Sequence, residues 1–484
     1  MAVTGTGDSH DREPGRARMA GGEFSDRVRR SLDDAVLQRN MGAASKRFVN
    51  GRARGMAELD NLEDIRTAAA AIRDRALADL DVYLEAFERE ATARGAEVHW
   101  ARTADEASRI VTGLAERYGV HKVVKSKSMV TEECGINDAL AERGVEVLET
   151  DLGEYVLQLA DEPPSHLVAP MVHKSREQVG ELFSRFHGGT PTNDIPELTA
   201  QARDVLRPHF LSADMGISGA NFLVAETGST AIVTGEGNGR MVTTLPPVHV
   251  AVTGIEKVVP TLEDLDTLLR LLPRSSSGQP ITSYVSLNTG VAGEEESDGP
   301  RHFHIVLVDA GRSALLGDTL QPALRCIRCG ACMNHCPVYQ SVGGHAYGWI
   351  YPGPIGSILT PAYAGLENAP DLPNASTLCN ACGVVCPVRI PLPELMRELR
   401  TRQFEGGQRS RRERWLMAAW SWTARHPAAY GAVSGVAARV LAALGGAGRR
   451  IRRLPGLGGW TDGRDMPAPE GRTFRSQWAA GRRR

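Results

Sequence analysis

The chain has 484 residues, of which 42% are hydrophobic and 24% are charged. These fractions are typical of soluble globular proteins, so they exclude a wholly disordered chain and a membrane protein with many spans. At about 100 to 200 residues per domain, the length indicates two to four structural units. The formal net charge is −2, but residues 401–484 contain 17 arginines, no lysine and 5 acidic residues. The positive charge therefore belongs to the C-terminal region, and the rest of the chain is acidic.

The N-terminal region, residues 1–60, is predicted to hold a disordered leader and the start of the N-terminal helices. Residues 1–22 are rich in glycine, aspartate and arginine and show no hydrophobic periodicity. They also lack the apolar run of a secretory signal. From residue 62 to residue 95, apolar side chains recur at helical spacing with charges between them, which predicts one or two amphipathic helices.

Short β-branched runs and helical patterns alternate within residues 61–312. The predicted helices span residues 104–118, 175–186, 195–206 and 262–272. The predicted strands span residues 122–125, 145–148, 167–169, 222–225, 230–234, 248–253, 284–287 and 303–308. This alternation predicts an α/β domain with a partly parallel sheet.

The segment from Gly235 to Gly239 has the composition of a nucleotide-binding loop but not its spacing. It lacks the G-x-G-x-x-G pattern, and we predict no helix after it. We therefore interpret it as a hairpin turn between strands 230–234 and 241–244. No flavin or nicotinamide motif is recognisable in the sequence.

Seven of the eight cysteines lie between residues 326 and 386. The first motif reads Cys326-Ile-Arg-Cys329-Gly-Ala-Cys332-Met-Asn-His-Cys336-Pro337. It matches C-x2-C-x2-C-x3-C-P, the bacterial run that holds iron–sulfur clusters and whose fourth cysteine ligates a different cluster. We therefore predict a small domain over residues 313–400 that is organised around bound metal.

A second motif supplies the partner that the first requires. Cys379-Asn-Ala-Cys382-Gly-Val-Val-Cys386-Pro387 gives the last three cysteines of the same run, and Ser376 stands where the first would be. Crossed ligation, as in two-cluster ferredoxins, predicts two [4Fe-4S] clusters. The predicted ligands are Cys326, Cys329, Cys332 and Cys386 for cluster 1, and Cys336, Cys379 and Cys382 for cluster 2, with Ser376 as its candidate fourth ligand.

Several alternatives stay open at the second cluster. Its fourth corner is occupied by Ser376, by another residue or by solvent, or the cluster is a [3Fe-4S] centre. Structural zinc is a further alternative, but seven cysteines in interlocking runs fit the paired knuckles of zinc sites poorly. Clusters with full cysteine ligation mainly exchange single electrons, so the motifs indicate an electron-transfer domain.

The Arg-rich region 401–484 has three interpretations: a docking surface for an acidic partner, attraction to an anionic membrane surface, and nucleic-acid binding. No recognised nucleic-acid module accompanies the charge, so we predict no nucleic-acid partner. Trp415 and Trp422 have helical spacing, which predicts an amphipathic helix, and we favour partner docking. The apolar stretch 428–446 is interrupted by Arg439, and we predict no transmembrane segment.

Several sequence stretches, two of which include cysteines of the second motif, are specific to one family. They are residues 125–133 (KSKSMVTEE), 226–229 (ETGS), 236–240 (EGNGR), 378–382 (LCNAC), 385–388 (VCPV) and 459–462 (GWTD), followed by Arg464 and Asp465. With these stretches, the chain resembles the LutB/LldF family of L-lactate utilisation iron–sulfur proteins over nearly all of its length. Serine at position 376 is usual in that family.

This resemblance implies a fold class, a role and partners. Residues 61–312 are expected to form a LUD domain of the NagB/RpiA/CoA-transferase type with N-terminal helices. An α-helical ferredoxin-like domain with two [4Fe-4S] clusters and a basic helical C-terminal region are expected to follow. The family's role is electron transfer during oxidation of L-lactate to pyruvate, together with LutA-like and LutC-like companion subunits.

Other candidate residues lie outside the cysteine motifs. Lys125, Ser126, Lys127 and Ser128 follow a predicted strand and precede a helix, so they form a candidate anion-binding loop. The alternative is a solvated loop whose serine caps the helix. Glu226 lies at a strand end, but similarity to CoA transferases alone assigns it no catalytic role.

Histidines and the lone cysteine are predicted to be structural. His302 and His304 share one strand face without a third metal ligand in the sequence nearby, which favours packing. Cys134 stands where the family more commonly has an aliphatic residue, and we predict a buried, unreactive side chain.

We interpret the chain as an electron-transfer subunit and not as the catalytic one. One alternative is direct oxidation of a 2-hydroxy acid in a LUD pocket beside the open-corner cluster. Another is a regulatory iron–sulfur protein. The clustered, odd-numbered cysteines and the missing signal favour the cytoplasm, with peripheral attachment to the inner face of the membrane as an alternative.

Overall fold

The computed structural model describes residues 19, 23–454, 461 and 464–481. The predicted leader, apart from Met19, and three residues of the 459–462 stretch lie outside this part of the chain. The chain divides into two compact units, one ending at Arg402 and one beginning at Gln403. The boundary that we predict near residue 312 falls inside the first unit, and the division there stays a prediction.

The helices of the described residues are numbered in chain order. They are α1 Phe24–Asp33, α2 Ala35–Ala57, α3 Leu62–Ala78, α4 Leu80–Ala93, α5 Ala104–Arg117, α6 Met129–Glu133, α7 Ile136–Ala141, α8 Leu152–Ala160, α9 Arg176–His187, α10 Ile195–Ser212, α11 Asn238–Thr244, α12 Leu262–Ser276, α13 Ala331–Asn334, α14 Pro337–Val342, α15 Gly353–Ala364, α16 Ala381–Val385, α17 Leu392–Glu405, α18 Arg411–Arg425, α19 Pro427–Gly445 and α20 Phe474–Gly481. The strands are β1 Ala96–Ala101, β2 Lys122–Lys125, β3 Glu146–Glu149, β4 Met215–Ser218, β5 Phe222–Val224, β6 Ser229–Thr234, β7 Val248–Gly254, β8 Val258–Val259, β9 Tyr284–Asn288, β10 His302–Val308, β11 Arg450–Ile451 and β12 Met466–Pro467.

The α/β part is built on a six-stranded sheet of order β1-β10-β7-β4-β2-β3. All of its pairings are parallel. Every residue of β7 is buried, as expected for a central parallel strand that is covered on both faces. One face packs against α3 and α4 and the other against α5 to α7. The predicted α/β domain with a partly parallel sheet is confirmed.

A smaller sheet of order β8-β5-β6-β9 lies beside it and is mainly antiparallel. Apolar side chains of this sheet and of α12 share one core with α2, α3 and the cysteine-rich segment. Met41, Leu268 and Cys332 are all buried members of that core. Helices α2 and α3 therefore pack against both the small sheet and the cysteine-rich segment.

Two predicted strands are wrong, and three strands of the structure were not predicted. Residues 167–169 form a loop, because the His166 Nδ1 atom accepts hydrogen bonds from the Val168 and Ala169 backbone amides. Residues 241–244 belong to helix α11, so Gly235–Gly239 is a strand-to-helix connection and not a hairpin turn. Strands β1, β4 and β8 were not predicted. β1 lies at a sheet edge and buries only its two terminal residues, and β4 and β8 are only 4 and 2 residues long.

A buried ion-pair network follows the last strand of the α/β part. The Arg312 guanidinium contacts a Glu133 carboxylate oxygen at 2.8 Å and a Glu256 carboxylate oxygen at 2.7 Å. The Tyr351 hydroxyl donates to Glu133 at 2.7 Å, and the Tyr363 ring lies 4.8 Å from the guanidinium carbon. The two carboxylates raise the pKa of Arg312 despite its burial. This network ties the α/β part to the cysteine-rich segment.

The second unit contains α18, α19, α20 and a short antiparallel pair, β11 with β12. No residue of α18 is buried, and Trp415, Trp420 and Trp422 are each more than half exposed. Among the described helices, α19 is long and apolar enough to cross a membrane by length and composition alone. The sequence prediction treated Arg439 as an interruption, whereas a single charge leaves the mean hydropathy of the helix high.

Candidate functional site

The seven clustered cysteines form two groups in the structure. Four of them line one small internal cavity, together with apolar side chains from 327 to 392 and Leu167. Those four are Cys326, Cys329, Cys332 and Cys386. Burial raises the pKa of the Cys329 thiol to about 12 and that of Cys386 to about 11. These buried thiols would lose their protons on binding a metal centre, because cysteine binds metal as the thiolate.

The other three cysteines, Cys336, Cys379 and Cys382, form the second group, in which Cys336 and Cys382 are buried. Burial and the neighbouring charges of Cys336 and Cys379 raise the pKa of Cys382 to about 12. Cys379 is exposed, and hydrogen bonds from Thr377 and from the Ala381 amide lower its pKa. The Ser376 hydroxyl accepts a hydrogen bond from the Leu378 amide at 3.1 Å. The donor set is thus three thiols with a hydroxyl nearby in sequence.

Short helices and prolines produce this arrangement. Cys336 is the residue before α14, and Pro337 is the first residue of that helix, where its missing amide hydrogen costs nothing. Helix α13 therefore ends, and the chain turns away before Cys336 can join the first three thiols. Backbone amides also face the sulfur atoms: Arg328 donates to Cys326 Sγ at 3.4 Å and Ile390 donates to Cys386 Sγ at 3.3 Å.

Two arginines of the N-terminal helices support the second motif. Arg52 donates to the Val385 carbonyl at 2.8 Å, and Arg66 donates to the Cys386 carbonyl at 2.8 Å. Both side chains bring positive charge close to Cys386. Sequence reasoning missed them because they lie more than 300 residues from the motif, and no local pattern marks an arginine for such a role.

The candidate anion-binding loop divides into two parts. Lys125 is fully buried between the carboxylates of Glu132 and Glu149, which raise its pKa. Its charge is therefore satisfied within the protein. Ser126, Lys127 and Ser128 line a separate cavity of about 370 Å³. The Ser128 hydroxyl also caps α6 by accepting from the Thr131 amide, as in the capping alternative.

That cavity brings together segments that are distant in sequence. Its lining includes Lys127 after β2, Asn221 before β5, Asn238 at the start of α11, Lys257 before β8 and Arg328 of the first cysteine motif. Burial lowers the pKa of Lys257 to about 7. Lys257 and Arg328 could not be assigned from sequence, because only the fold brings them to the candidate loop.

The remaining sequence candidates lie elsewhere. A Glu226 carboxylate oxygen accepts from the Leu262 amide at the start of α12 at 2.9 Å, and Glu226 is not among the cavity residues. Cys134 is fully buried in an apolar core, as predicted.

His304 has two further potential metal ligands beside it on the neighbouring strand, which the sequence did not indicate. Glu97 and His99 of β1 join His304, and their ligand atoms lie within 4.8 Å of one another. The His99 and His304 rings are hydrogen-bonded at 3.1 Å. His304 also contacts the Tyr118 hydroxyl at 3.0 Å. We describe this cluster as a hydrogen-bonded network, because the Glu97 carboxylate accepts from Arg117 at 3.0 Å and the His304 ring contacts His99 and Tyr118.

Three family models match consecutive parts of the chain. The LUD domain matches residues 84–308, the 4Fe-4S dicluster domain matches residues 322–390, and the C-terminal domain of lactate utilisation protein B matches residues 396–483. The predicted order of domain types is thereby confirmed.

Curated relatives match over nearly the full length. The chain is 46% identical to lactate utilization protein B of Shouchella clausii and 44% identical to that of Oceanobacillus iheyensis, in each case over 94% of this chain and 96% of the relative. An uncharacterized electron transport protein of Escherichia coli is 41% identical over the same shares of the two chains.

Proposed function

Because the chain belongs to the lactate utilisation protein B family, we propose that it transfers electrons through two [4Fe-4S] clusters while L-lactate is oxidised to pyruvate. The observation that carries this proposal is the grouping of the cysteines. Cys386 of the second motif joins the first three thiols of the first motif, and Cys336 approaches Cys379 and Cys382. This pattern supports crossed ligation of two clusters.

The two ligand sets differ in environment. We assign cluster 1 to Cys326, Cys329, Cys332 and Cys386, and cluster 2 to Cys336, Cys379 and Cys382 with Ser376 as the candidate fourth ligand. Cluster 1 would be buried beside the LUD part, and cluster 2 would lie near the surface, where Cys379 is exposed. An external electron partner therefore has access at the second cluster.

Companion subunits complete the proposed reaction. Lactate loses two electrons, formally as a hydride, whereas cubane clusters mainly exchange one electron at a time. We therefore assign the step that separates the electron pair to a LutA-like or LutC-like companion. We also propose a cytoplasmic location, because clustered free thiols require a reducing compartment.

The experiment compares three cysteine variants of the full-length protein purified without oxygen. Cys332→Ala is expected to remove the signal of cluster 1, and Cys382→Ala is expected to remove that of cluster 2. Iron and sulfide analysis with EPR of the dithionite-reduced protein measures both signals. The matched control is Cys134→Ala, which removes a buried thiol outside both groups and should retain all the iron.

The results separate the alternatives. About eight irons per chain in the unchanged protein would support two [4Fe-4S] clusters, and about seven would indicate a [3Fe-4S] centre in the second site. Zinc in place of iron, or full iron retention in both cluster variants, would overturn the proposal.

A further inference from the structure

The 370 Å³ cavity of the first unit is strongly cationic for its size. Three lining residues, Lys127, Lys257 and Arg328, are basic, and one, Asp151, is acidic. Arg328 also contacts Glu256, at 3.5 Å, but Glu256 is already engaged by Arg312 at 2.7 Å. Basic side chains therefore outnumber acidic ones in the lining of the cavity, and the carboxylates of Glu154 and Glu236 also lie near Lys127.

At this cavity, two side-chain nitrogen atoms are buried and have no hydrogen-bond acceptor among the residues that the structure describes. They are Nζ of Lys127 and Nη1 of Arg328. Lys257 has only a long contact, 3.4 Å from its Nζ to the Cys326 carbonyl oxygen. A buried cationic donor without an acceptor is costly, and a bound anion that accepts from it removes that cost. Two such groups from separate segments, with the weakly bonded Lys257 ammonium beside them, indicate a site built for an anion.

The cavity adjoins the first group of cysteines. Arg328 lies between Cys326 and Cys329 in the first motif, and Leu167 lines both this cavity and the cavity of the four thiols. A ligand held by Arg328 and Lys257 therefore contacts the loop that carries two of the proposed cluster 1 ligands.

From this arrangement we infer that the cavity binds a small organic carboxylate, a 2-hydroxy acid or its 2-oxo counterpart, an inference that rests on the proposed function. The carboxylate pairs with Arg328 and the two lysines, since a guanidinium and a carboxylate match in geometry. Asn221, Asn238 and Thr282 also line the cavity and offer hydrogen bonds to the hydroxyl or oxo group. A three-carbon acid fits within 370 Å³ with water around it.

The size and charge of the site favour this class over a larger polyanion. Asp151 also lines the cavity and would repel a second or third negative charge on a ligand. Inorganic phosphate, which carries more than one negative charge, is the probe for the competing class of polyanions.

The test is calorimetric titration of the full-length, cluster-loaded protein without oxygen, with its iron content measured beforehand. L-lactate, pyruvate and inorganic phosphate are titrated separately. Lys127→Met removes one orphaned cation and is expected to raise the Kd for lactate or pyruvate at least tenfold, with iron content unchanged. Lys257→Gln is the second variant. The matched control is Lys46→Met, an exposed lysine of α2 outside the cavity, which should bind as the unchanged protein does.

A second readout follows the cluster itself. An added negative charge beside cluster 1 is expected to shift its EPR spectrum and lower its reduction potential on binding, and this shift should be absent in Lys127→Met. The inference is overturned if iron-replete protein binds neither acid up to about 10 mM. It is also overturned if Lys127→Met binds unchanged, or if phosphate binds more tightly than both acids. If the purified protein contains no iron, the proposed function is overturned instead. Carboxylate binding by that iron-free protein would still support the carboxylate site.

Discussion

Arg312 is a single side chain that neutralises two buried carboxylates, those of Glu133 and Glu256. Breaking such a network leaves uncompensated charge in the interior, which costs about 3–5 kcal/mol. We expect Arg312→Met to lower the free energy of unfolding by an amount in this range, as measured by urea denaturation. Adding Glu133→Gln to that variant should recover part of the loss, because one orphaned carboxylate is then removed. A loss below about 1 kcal/mol would contradict this account.

The single residue His166 makes the free energy of unfolding depend on pH. Its Nδ1 accepts from two backbone amides, so Nε2 carries the proton and donates to the Asn334 side-chain oxygen at 2.9 Å. Burial lowers the pKa of His166 to about 4, below its unfolded value. The unfolded chain therefore binds more protons between these values, and the free energy of unfolding falls as the pH drops from about 6.5 to 4.

The test measures urea denaturation at several pH values for the unchanged protein and for His166→Gln. The slope between these values should be smaller in the variant by about 1.4 kcal/mol per pH unit. Equal slopes would show that His166 is not the titrating group.

At the scale of elements, close approach decides where glycine is required. Gly228 connects β5 to β6 with φ of 64°, and a Cβ atom there would lie 2.2 Å from the Ala91 amide nitrogen of α4. Gly119, between α5 and β2, has a similar φ of 61° but open space around it. We expect Gly119→Ala to cost about 1–2 kcal/mol from backbone strain alone and Gly228→Ala to cost clearly more. Equal losses in thermal or urea unfolding would refute a packing role for Gly228.

Elements with strong local signals could be predicted from the sequence. Helix α5 and strand β10 were predicted within one residue at either end, because their apolar periodicity is clear and tertiary packing agrees with it. The loop at 167–169 could not be predicted, since it depends on the His166 side chain capturing two backbone amides. Likewise, the helix α11 begins after Gly237 with φ of 82°, a turn that the short polar sequence does not distinguish from a hairpin.

At the scale of the molecule, the spacing of residues along the sequence predicted the two groups of cysteines but not the residues that line the cavity. Fixed C-x2-C intervals allow few ways of wrapping a cluster, so the crossed grouping could be proposed from the sequence. Lys257 and Arg328 come to the candidate loop only through the packing of distant segments, and Arg52 and Arg66 reach the second motif in the same way.

The basic C-terminal region gives a prediction about assembly. Helix α18 presents Arg411, Arg412 and Arg414 together with exposed tryptophans. Replacing these three arginines by glutamate should weaken binding to the proposed companion subunits and reduce the dependence of that binding on salt, because charge attraction is lost. Surface plasmon resonance at several salt concentrations measures both effects, with Arg109→Glu as the control at an exposed position of α5. Unchanged affinity of the variant would assign docking to another surface. If the unchanged protein binds anionic vesicles but not the proposed companion subunits, a membrane role is favoured.

The bonds from Arg66 to the Val384 and Cys386 carbonyls have a consequence for biosynthesis. These partners are separated by 318 and 320 residues, so Arg66 leaves the ribosome long before its acceptors exist. At about 5–20 residues per second, the delay is tens of seconds. During that time the apolar sides of α2 and α3 have no cysteine-rich segment to cover them. A chain that ends before residue 384 would therefore leave these apolar side chains exposed to solvent. We expect such a fragment to aggregate or to bind chaperones when it is expressed.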